Sequence, residues 1–282
     1  MNLNGKNIAR VFPTMTNMSP RDRDVYFTPP TLFVQKGDYD EVHISCAFTW
    51  DKERAVELQY QWQSVCKSVI VGGPAFNDPG NGFIPGLYLK HDVTITSRGC
   101  PNNCPWCYVP KREGKLREME IHPGRIIQDN NLLACSKPHI RKVMAMLKTQ
   151  KKIEFAGGLE SDHITDEFVD DIRGLSIRHV WMAYDTPSRL KSLKKAINKL
   201  RKHLTRHKVR VYVMIGMKGD TIENAESRLE LILELGAFPF AMRYRDDNGL
   251  VQKERAWNNL AKQYTDMKKM YGILNDKFKI KA

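Results

Sequence analysis

The sequence has no apolar run long enough to span a membrane, and its first residues, MNLNGKNIARVFP, lack the apolar core of a secretory signal. We therefore expect a cytoplasmic protein that does not associate with membranes. Thiols stay reduced in that compartment, which disfavours a disulfide framework for the six cysteines and favours a metal site. The sequence also lacks internal repeats and low-complexity segments.

Acidic residues are in the minority. Lys and Arg number 45 against 32 for Asp and Glu, which gives a net charge of +13. Such an excess favours anionic partners such as nucleic acid, nucleotides or phosphorylated substrates. A basic surface that is simply solvated is the alternative.

Strand-like and helical apolar patterns alternate along most of the chain. Strands are predicted at 92–96, 125–129, 152–156, 178–183, 209–215 and 238–243. Helices are predicted at 138–149, 164–173, 188–206, 222–235 and 253–271. Six strands with intervening helices predict an α/β fold with a partial (β/α)6 TIM-like barrel.

A smaller α/β unit is predicted ahead of this barrel. It consists of the strand EVHISCAF, the helix DKERAVELQYQWQSV and the strand KSVIVGGPA, a shortened Rossmann-like unit, whereas residues 1–37 are predicted to be irregular. The stretch NDPGNGFIPG, rich in Gly, Pro and Asn, is typical of a linker. The predicted domains are 1–88 (the N-terminal unit), 89–250 (the barrel) and 251–282 (a C-terminal helix and the basic tail NDKFKIKA).

Half of the cysteines lie within eight residues, in SRGCPNNCPWCYVP, as Cys100, Cys104 and Cys107. Three thiolates cannot complete a tetrahedral or cubane metal centre, so one position stays open for a substrate or cofactor. The alternative is a structural zinc site in which His122, His91 or Cys135 is the fourth ligand.

The stretch CPNNCPWC has the C-x3-C-x-aromatic-C pattern of the radical S-adenosylmethionine (radical SAM) superfamily. TSRGCPNNCPWC resembles the branch of that superfamily whose members often carry an N-terminal cobalamin-binding domain. The resemblance covers roughly residues 90–245. It implies that the three cysteines hold a [4Fe–4S] cluster whose fourth iron is chelated by SAM, and that Trp106 lies near the adenine.

Polar or glycine-rich segments follow the predicted strands, where parallel α/β folds place their sites. Asp129, Asn130 and Asn131 follow the second strand and could contact the methionine or ribose part of SAM, or they form an Asx turn or helix cap. After the third strand, Gly157, Gly158 and Glu160 resemble the GGE segment that meets the SAM amino group. The alternative is a glycine turn with a surface glutamate.

The later strands are followed by further candidates for cofactor binding. These are Tyr184 and Asp185 after the fourth strand, Gly216, Lys218 and Gly219 after the fifth, and Arg243 and Arg245 after the sixth. The fifth segment resembles the glycine segment that meets the adenine in the superfamily. The arginines could clamp a carboxylate or phosphate, or they are solvated residues of the rim.

The resemblance implies reductive cleavage of SAM to methionine and a 5′-deoxyadenosyl radical, which abstracts hydrogen from a substrate that the sequence does not identify. It also implies an electron donor such as flavodoxin or ferredoxin. Cobalamin is not expected, because the Asp-x-His-x-x-Gly motif is absent and 1–88 is short for a cobalamin domain. The rival hypotheses are a zinc-dependent nucleic-acid-binding protein and a cobalamin-dependent radical methyltransferase.

The stretch 190–210 carries nine Lys or Arg residues, with apolar residues at helical spacing. This pattern predicts a helix with one buried stripe and a basic outer face. The outer face either contacts nucleic acid or is simply solvated.

Overall fold

The computed structural model describes residues 1–78, 80, 82–246 and 249–278. These residues form two compact units, Met1–Gly124 and Arg125–Ala282. The predicted domain boundaries at 88/89 and 250/251 differ from this division and stay a prediction. Residues 79 and 81 of the predicted linker and residues 279–282 of the predicted basic tail lie outside the described residues.

The first unit contains eight short strands and two helices among its described residues. The strands are β1 (Asn2–Leu3), β2 (Lys6–Val11), β3 (Val25–Tyr26), β4 (Glu41–Ser45), β5 (Val69–Gly72), β6 (Val93–Thr94), β7 (Ser97–Arg98) and β8 (Arg117–Glu118). The helices are α1 (Lys52–Trp62) and α2 (Val109–Arg112).

The predicted strand–helix–strand unit is present as β4, α1 and β5. Strand β4 pairs in parallel with β2 on one side and with β5 on the other. Helix α1 buries Leu58 and Trp62 against Val42 and Ile44 of β4. Apart from its antiparallel edge strand β1, this small sheet is parallel, and with its packed helix it agrees with the predicted shortened Rossmann-like unit.

The prediction that residues 1–37 are irregular is wrong, because β2 is an inner strand of this sheet. Its run KNIARV contains Arg10, which interrupts the apolar pattern in the sequence. The Arg10 side chain is only 1% exposed. It donates to the Gly86 carbonyl at 2.7 Å and forms an ion pair with Asp22. Pairing of the guanidinium allows this charge to be buried within a strand.

The second unit alternates strands and helices. The strands are β9 (Ile126–Ile127), β10 (Ile153–Leu159), β11 (Ile177–Ala183), β12 (Val209–Ile215), β13 (Phe238–Arg243), β14 (Arg245–Asp246) and β15 (Gly249–Leu250). The helices are α3 (Lys137–Leu147), α4 (Asp166–Arg173), α5 (Leu190–Arg201), α6 (Ile222–Glu234), α7 (Arg255–Gln263) and α8 (Met267–Phe278).

Strands β9 to β13 lie in the order β13-β12-β11-β10-β9, and every pairing between them is parallel. All six predicted strand positions contain a strand, which confirms the partial α/β barrel. Among the described residues β13 pairs only with β12 and so ends the sheet, which is therefore not closed. Because the strands are parallel, their carboxyl ends meet at one edge of the sheet.

Capping residues start three of the crossover helices. Ser136, Thr165 and Thr221 accept hydrogen bonds from the backbone N–H groups three residues later, at the starts of α3, α4 and α6. Such caps satisfy donors that a helix cannot pair internally. They place each helix start close behind the polar segment that follows a strand.

The basic helix predicted within 190–210 is α5, and its predicted apolar stripe is buried. The prediction of a single helix at 253–271 is wrong, because one helix ends at Gln263 and a second begins at Met267. Asp266 accepts from the Lys268 N–H at 2.9 Å at the start of α8. A short acidic side chain of this kind favours a helix start over helix continuation.

Within the described ranges, no helix combines the length and apolar character needed to cross a bilayer.

The core of the first unit can be tested on α1. Trp62 is fully buried, and its Nε1 donates to the Thr28 carbonyl at 3.2 Å. We expect Trp62→Ala to lower the free energy of unfolding by about 3–5 kcal/mol through cavity formation. Urea unfolding followed by circular dichroism measures this change.

The matched control on the same helix is Tyr60→Ala, because Tyr60 is 80% exposed. Its unfolding free energy should stay within about 0.5 kcal/mol of the parent. Similar losses in both variants would contradict the described packing of α1.

Candidate functional site

The cysteine loop, defined as residues 99–116, joins β7 to β8. These two strands pair antiparallel, with Ser97 opposite Glu118 and Arg98 opposite Arg117. In the sequence, the loop comes shortly after the strand predicted at 92–96. That strand is shorter, at Val93–Thr94, and the loop instead rises from the β7–β8 ladder. Strand pairing therefore fixes both ends of the loop.

A buried ion pair and a glycine hold the base of this loop together. Arg98 Nη1 lies 2.8 Å from Glu113 Oε1, and both side chains are largely buried. Arg117 donates to the Glu113 carbonyl at 2.7 Å. Gly99 has a φ of +81°, and a Cβ at this position would lie 2.2 Å from the Lys115 carbonyl oxygen. Only glycine allows this close approach of the two backbone segments.

The three loop cysteines differ in exposure from the other three. Cys100, Cys104 and Cys107 are half-buried, whereas Cys46, Cys66 and Cys135 are buried. Burial raises the pKa of the Cys46 thiol to about 11, so Cys46 stays a neutral thiol near pH 7. The loop thiols are the ones that a metal centre could reach.

Backbone N–H groups donate hydrogen bonds within the loop, one of them to a cysteine sulfur. The Asn102 N–H donates to Cys100 Sγ at 3.4 Å, and the Cys107 N–H donates to the Cys104 carbonyl at 3.0 Å. Trp106, between the second and third cysteines, is half-buried. N–H groups directed at sulfur stabilise a thiolate and tune an iron–sulfur centre.

Four cationic residues lie in or beside this loop in the sequence: Lys90, Arg98, Lys111 and Arg112. Arg98 is neutralised by Glu113, and Lys90 lies 4.0 Å from Asp92 Oδ1. The Arg112 guanidinium lies 4.3 Å from the centre of the Tyr108 ring, and Lys111 is exposed. The positive charge beside the thiols is therefore smaller than the sequence indicates.

The donor set fits an iron–sulfur cluster in the type and accessibility of its ligands, and three thiols would leave one ligand position open. In the part of the chain that is described, no three His, Cys, Asp or Glu side chains are grouped so that they could hold a metal ion. The fit therefore rests on three accessible thiols in one loop that strand pairing anchors at both ends.

In the second unit, the ends of β9 and β10 come together. Asp129 and Asn131 are buried, at 2% and 3% exposure, just after β9. A Cβ on Gly157 would lie 1.8 Å from the Asp129 carbonyl oxygen. Gly157 and Gly158 were predicted to follow the third strand, but they lie inside β10. Its pairing with β11 is irregular between Phe155 and Leu159, which is consistent with two glycines.

Glu160 follows β10 and is bonded on both carboxylate oxygens. Asn131 Nδ2 donates to its Oε2 at 2.8 Å, and Arg189 Nη1 lies 3.4 Å from its Oε1. His163 Nε2 lies 3.5 Å from Oε2. Only 14% of the Glu160 side chain is exposed, so the alternative of a surface glutamate is excluded. The structure thus joins two predicted site residues, Asn131 and Glu160, and adds Arg189, which the sequence analysis missed.

The segments after β11 and β12 are placed less favourably for a ligand. Tyr184 directly follows β11 as predicted, but it is only 3% exposed, and burial raises its pKa. Gly216, with a φ of +76°, turns the chain after β12, and its N–H donates to Asp220 Oδ2 at 2.9 Å. Lys218 and Gly219 are exposed in that turn.

Arg243 is the last residue of β13, and Arg245 begins β14. The Arg243 guanidinium donates to the Gln252 carbonyl, so it is engaged within the unit. Asp185 and Asn130 are half-buried after β11 and β9.

A cluster of aromatic rings on one face of the sheet is a feature that the sequence analysis missed. Trp181 stacks on Tyr212 with ring centres 4.4 Å apart, and Phe240 meets both rings edge-on at 5.8 Å. Each of these aromatic residues is next in sequence to a buried residue on the opposite face of the sheet, namely Val180, Val211 or Ala241. The period-two alternation in RHVWMA and VRVYVMI could have revealed this face.

Charged groups border the aromatic cluster at the amino-terminal side of the strands. Trp181 Nε1 donates to Glu154 at 3.0 Å, and the Arg210 guanidinium lies 5.0 Å from the Trp181 ring centre. Burial acts to raise the pKa of Glu154, but hydrogen bonds from His179 and Trp181 outweigh it and leave that pKa lowered. Burial raises the pKa of Tyr212 to about 12, so its hydroxyl remains a donor at neutral pH.

Comparison of the sequence with protein-family models and with curated proteins gives no match. Among solved structures, the radical S-adenosylmethionine methyltransferase TsrM from Kitasatospora setae, with cobalamin and a [4Fe–4S] cluster bound, matches with a TM-score of 0.58 and 11% identity. The match covers 83% of this chain and 74% of that chain. The chain shares its fold with a radical SAM enzyme.

The same enzyme with tryptophan substrate and the SAM analogue aza-SAM bound matches with a TM-score of 0.53 and 11% identity. This match covers 73% of the present chain and 62% of that one. The resemblance predicted from the cysteine motif is therefore confirmed at the level of the radical SAM fold. At this identity the comparison concerns the fold alone.

The close approach of β10 to the end of β9 can be tested at Gly157. We expect Gly157→Ala to destabilise the protein by about 3 kcal/mol, because the added methyl meets backbone that cannot rotate away. The measurement is the free energy of unfolding in urea. Gly174→Ala is the control, since nothing lies within 4 Å of a Cβ there, and it should not destabilise. Equal effects of the two substitutions would contradict the described strand ends.

Proposed function

We propose that the chain is a radical SAM enzyme in which Cys100, Cys104 and Cys107 hold a [4Fe–4S] cluster. When bound, the cluster supplies the electron that cleaves SAM and so gives a 5′-deoxyadenosyl radical, which abstracts hydrogen from an anionic substrate, nucleic acid included. Two independent observations together support this proposal most strongly. The loop has three cysteines with the superfamily's spacing, and the chain shares the fold of a radical SAM methyltransferase.

In this proposal the loop contributes ligands and rigidity. The three thiols would bind iron as thiolates, and the Asn102 N–H, 3.4 Å from Cys100 Sγ, would stabilise the added charge. The β7–β8 ladder and the Arg98–Glu113 pair hold the loop ends while the thiols adjust around the cluster. Three ligands leave one iron for the amino and carboxylate groups of SAM.

The strand ends of the second unit contribute the groups that recognise SAM. Glu160 pairs with the SAM ammonium, and Asn131 keeps the carboxylate oriented. When SAM binds, the ion pair between Arg189 and Glu160 is lost in this proposal. Arg189 retains its other ion pair, which is with Asp162. Gly158, where a Cβ would meet nothing within 4 Å, leaves the backbone open near this carboxylate, and Gly157 holds the strand end against the Asp129 backbone.

The other assigned contacts remain proposals of the same kind. Trp106 and the turn at Gly216 and Lys218 would meet the adenine, and Asp129 the methionine or ribose part. Tyr184 could contribute only after movement of its buried side chain, and Arg243 only after release of the Gln252 carbonyl. Flavodoxin or ferredoxin is the proposed electron donor, and the cytoplasm the proposed location.

A second candidate is a cobalamin-dependent radical methyltransferase. The solved methyltransferase that this chain resembles holds cobalamin, and the match covers 83% of this chain. The expectation that cobalamin is not bound therefore stays a prediction. Binding of hydroxocobalamin to the purified chain would favour this candidate, and the zinc-binding rival would instead retain one zinc after aerobic purification.

The test of the proposed function is anaerobic reconstitution with iron and sulfide. We expect about four iron and four sulfide per chain, with broad visible absorption. After reduction with dithionite, SAM should be converted to methionine and 5′-deoxyadenosine. A chain that takes up no iron, or that leaves SAM intact when fully loaded, would refute the proposal.

Substitution of the loop cysteines gives the sharper prediction. Cys100→Ala, Cys104→Ala and Cys107→Ala should each abolish 5′-deoxyadenosine formation, because two thiolates cannot hold the cluster in a competent state. Cys135→Ala is the control, since Cys135 is a buried residue outside the loop, and it should retain cleavage. Chromatographic detection of 5′-deoxyadenosine decides the result, and product from any of the three loop variants would overturn the ligand assignment.

A further inference from the structure

The second unit contains a basic groove of about 660 Å³ beside α5, which we call the lysine groove. It lies between α5 and the segment that follows β10. Its lining residues include Ser161, Asp162, Arg189, Lys191, Ser192 and Lys195. Neither the proposed cluster nor the proposed SAM contacts use the lysines of this groove.

The charges in the groove are only partly compensated. Asp162 forms an ion pair with Arg189, and Asp166 Oδ1 lies 3.2 Å from Lys199 Nζ. Lys191 and Lys195 are exposed and have no carboxylate partner among the described residues. Two ammonium groups that face a concave surface without counter-charge favour an anionic ligand.

Hydroxyl groups beside these lysines indicate which anion fits. Ser161 is only 9% exposed, and its Oγ lies 3.2 Å from Ser192 Oγ. Ser192 Oγ in turn donates to the Arg189 carbonyl at 3.0 Å. Serine hydroxyls and lysine ammonium groups together are typical partners of phosphate oxygens.

The spacing of the two lysines favours a chain of phosphates over one phosphate group. Lys191 and Lys195 are four residues apart on α5, a rise of about 6 Å along the helix. This is close to the rise of two nucleotides in a stacked, helical strand, which is about 3.4 Å each along the helix axis. We propose that the lysine groove binds the phosphodiester backbone of a nucleic acid.

Within the second unit, the groove begins beside the carboxylate that is proposed to bind SAM. Arg189 lines the groove and also lies 3.4 Å from Glu160, the proposed SAM-binding carboxylate at the end of β10. This last step rests on the proposed function and deepens it by naming the substrate class. Backbone binding itself does not depend on SAM chemistry, so the two proposals can fail separately.

The test is binding of a fluorescein-labelled, single-stranded, mixed-sequence RNA to the full chain, followed by fluorescence anisotropy over a salt series. The variant Lys191→Ala/Lys195→Ala should reduce the slope of log affinity against log salt by about 1.4, or about 0.7 for each lost phosphate contact. If the two affinities are equal at about 1 M salt, this difference in slope makes the affinity of the variant about 25-fold weaker than that of the parent at about 0.1 M salt.

The matched control is Lys194→Ala/Lys202→Ala, which removes the same charge from exposed positions of the same region outside the groove. Its affinity should stay within about two-fold of the parent, since diffuse surface charge is screened. Thermal unfolding by circular dichroism checks that both variants keep the parent's fold.

Three results would overturn the proposal. The parent binds no RNA at low salt, or both double variants weaken binding equally, or inorganic phosphate at matched ionic strength displaces the RNA from the groove. The last result would assign the groove to a small phosphate. Because the measurement is made on the chain with and without the cluster, none of these outcomes depends on SAM cleavage.

Discussion

Parallel strands need crossover connections, and each crossover returns the chain so that successive strands end at the same edge of the sheet. In the second unit this constraint brings the segments after β9 and β10 together, although about thirty residues separate them in sequence. The Asn131–Glu160 hydrogen bond and the contact of Gly157 with the Asp129 backbone both follow from it. The candidate SAM contacts exist as a group only because of this pairing.

A second local constraint acts in the first unit. A loop that carries three thiols must remain open enough to accept a cluster and still keep its ends fixed. The β7–β8 ladder, the Arg98–Glu113 pair and the close approach at Gly99 fix the base without burying the sulfur atoms. The buried cysteines elsewhere in the chain lack this combination, which is why the proposed chemistry is assigned to the loop alone.

The strands of the barrel could be predicted from sequence because they are short apolar runs bounded by polar residues. The cysteine loop could be predicted because its spacing is local. Strand β2 could not, since a buried arginine, Arg10, resembles a loop residue until its partner Asp22 is known. The break between α7 and α8 was missed because Asp266 acts as a helix start only in its structural context.

The partners of the site residues were the least predictable part. Sequence indicated a carboxylate at Glu160 but not that Asn131 and Arg189 would hold it, because those contacts span about thirty residues. It also placed Tyr184 at a strand end without showing that the side chain is buried. The lysines of α5 were visible as a basic stripe, and only the packing of α5 distinguishes groove residues from solvated ones.

The proposed chemistry requires that the cysteine loop binds a cluster with one iron left for SAM. Electron paramagnetic resonance of the anaerobically reconstituted, dithionite-reduced protein, recorded before and after SAM is added, reports on that iron. We expect a reduced-cluster signal whose g values change when SAM binds. The absence of this signal, or a signal that SAM leaves unchanged, would refute the assignment of the cluster to the loop.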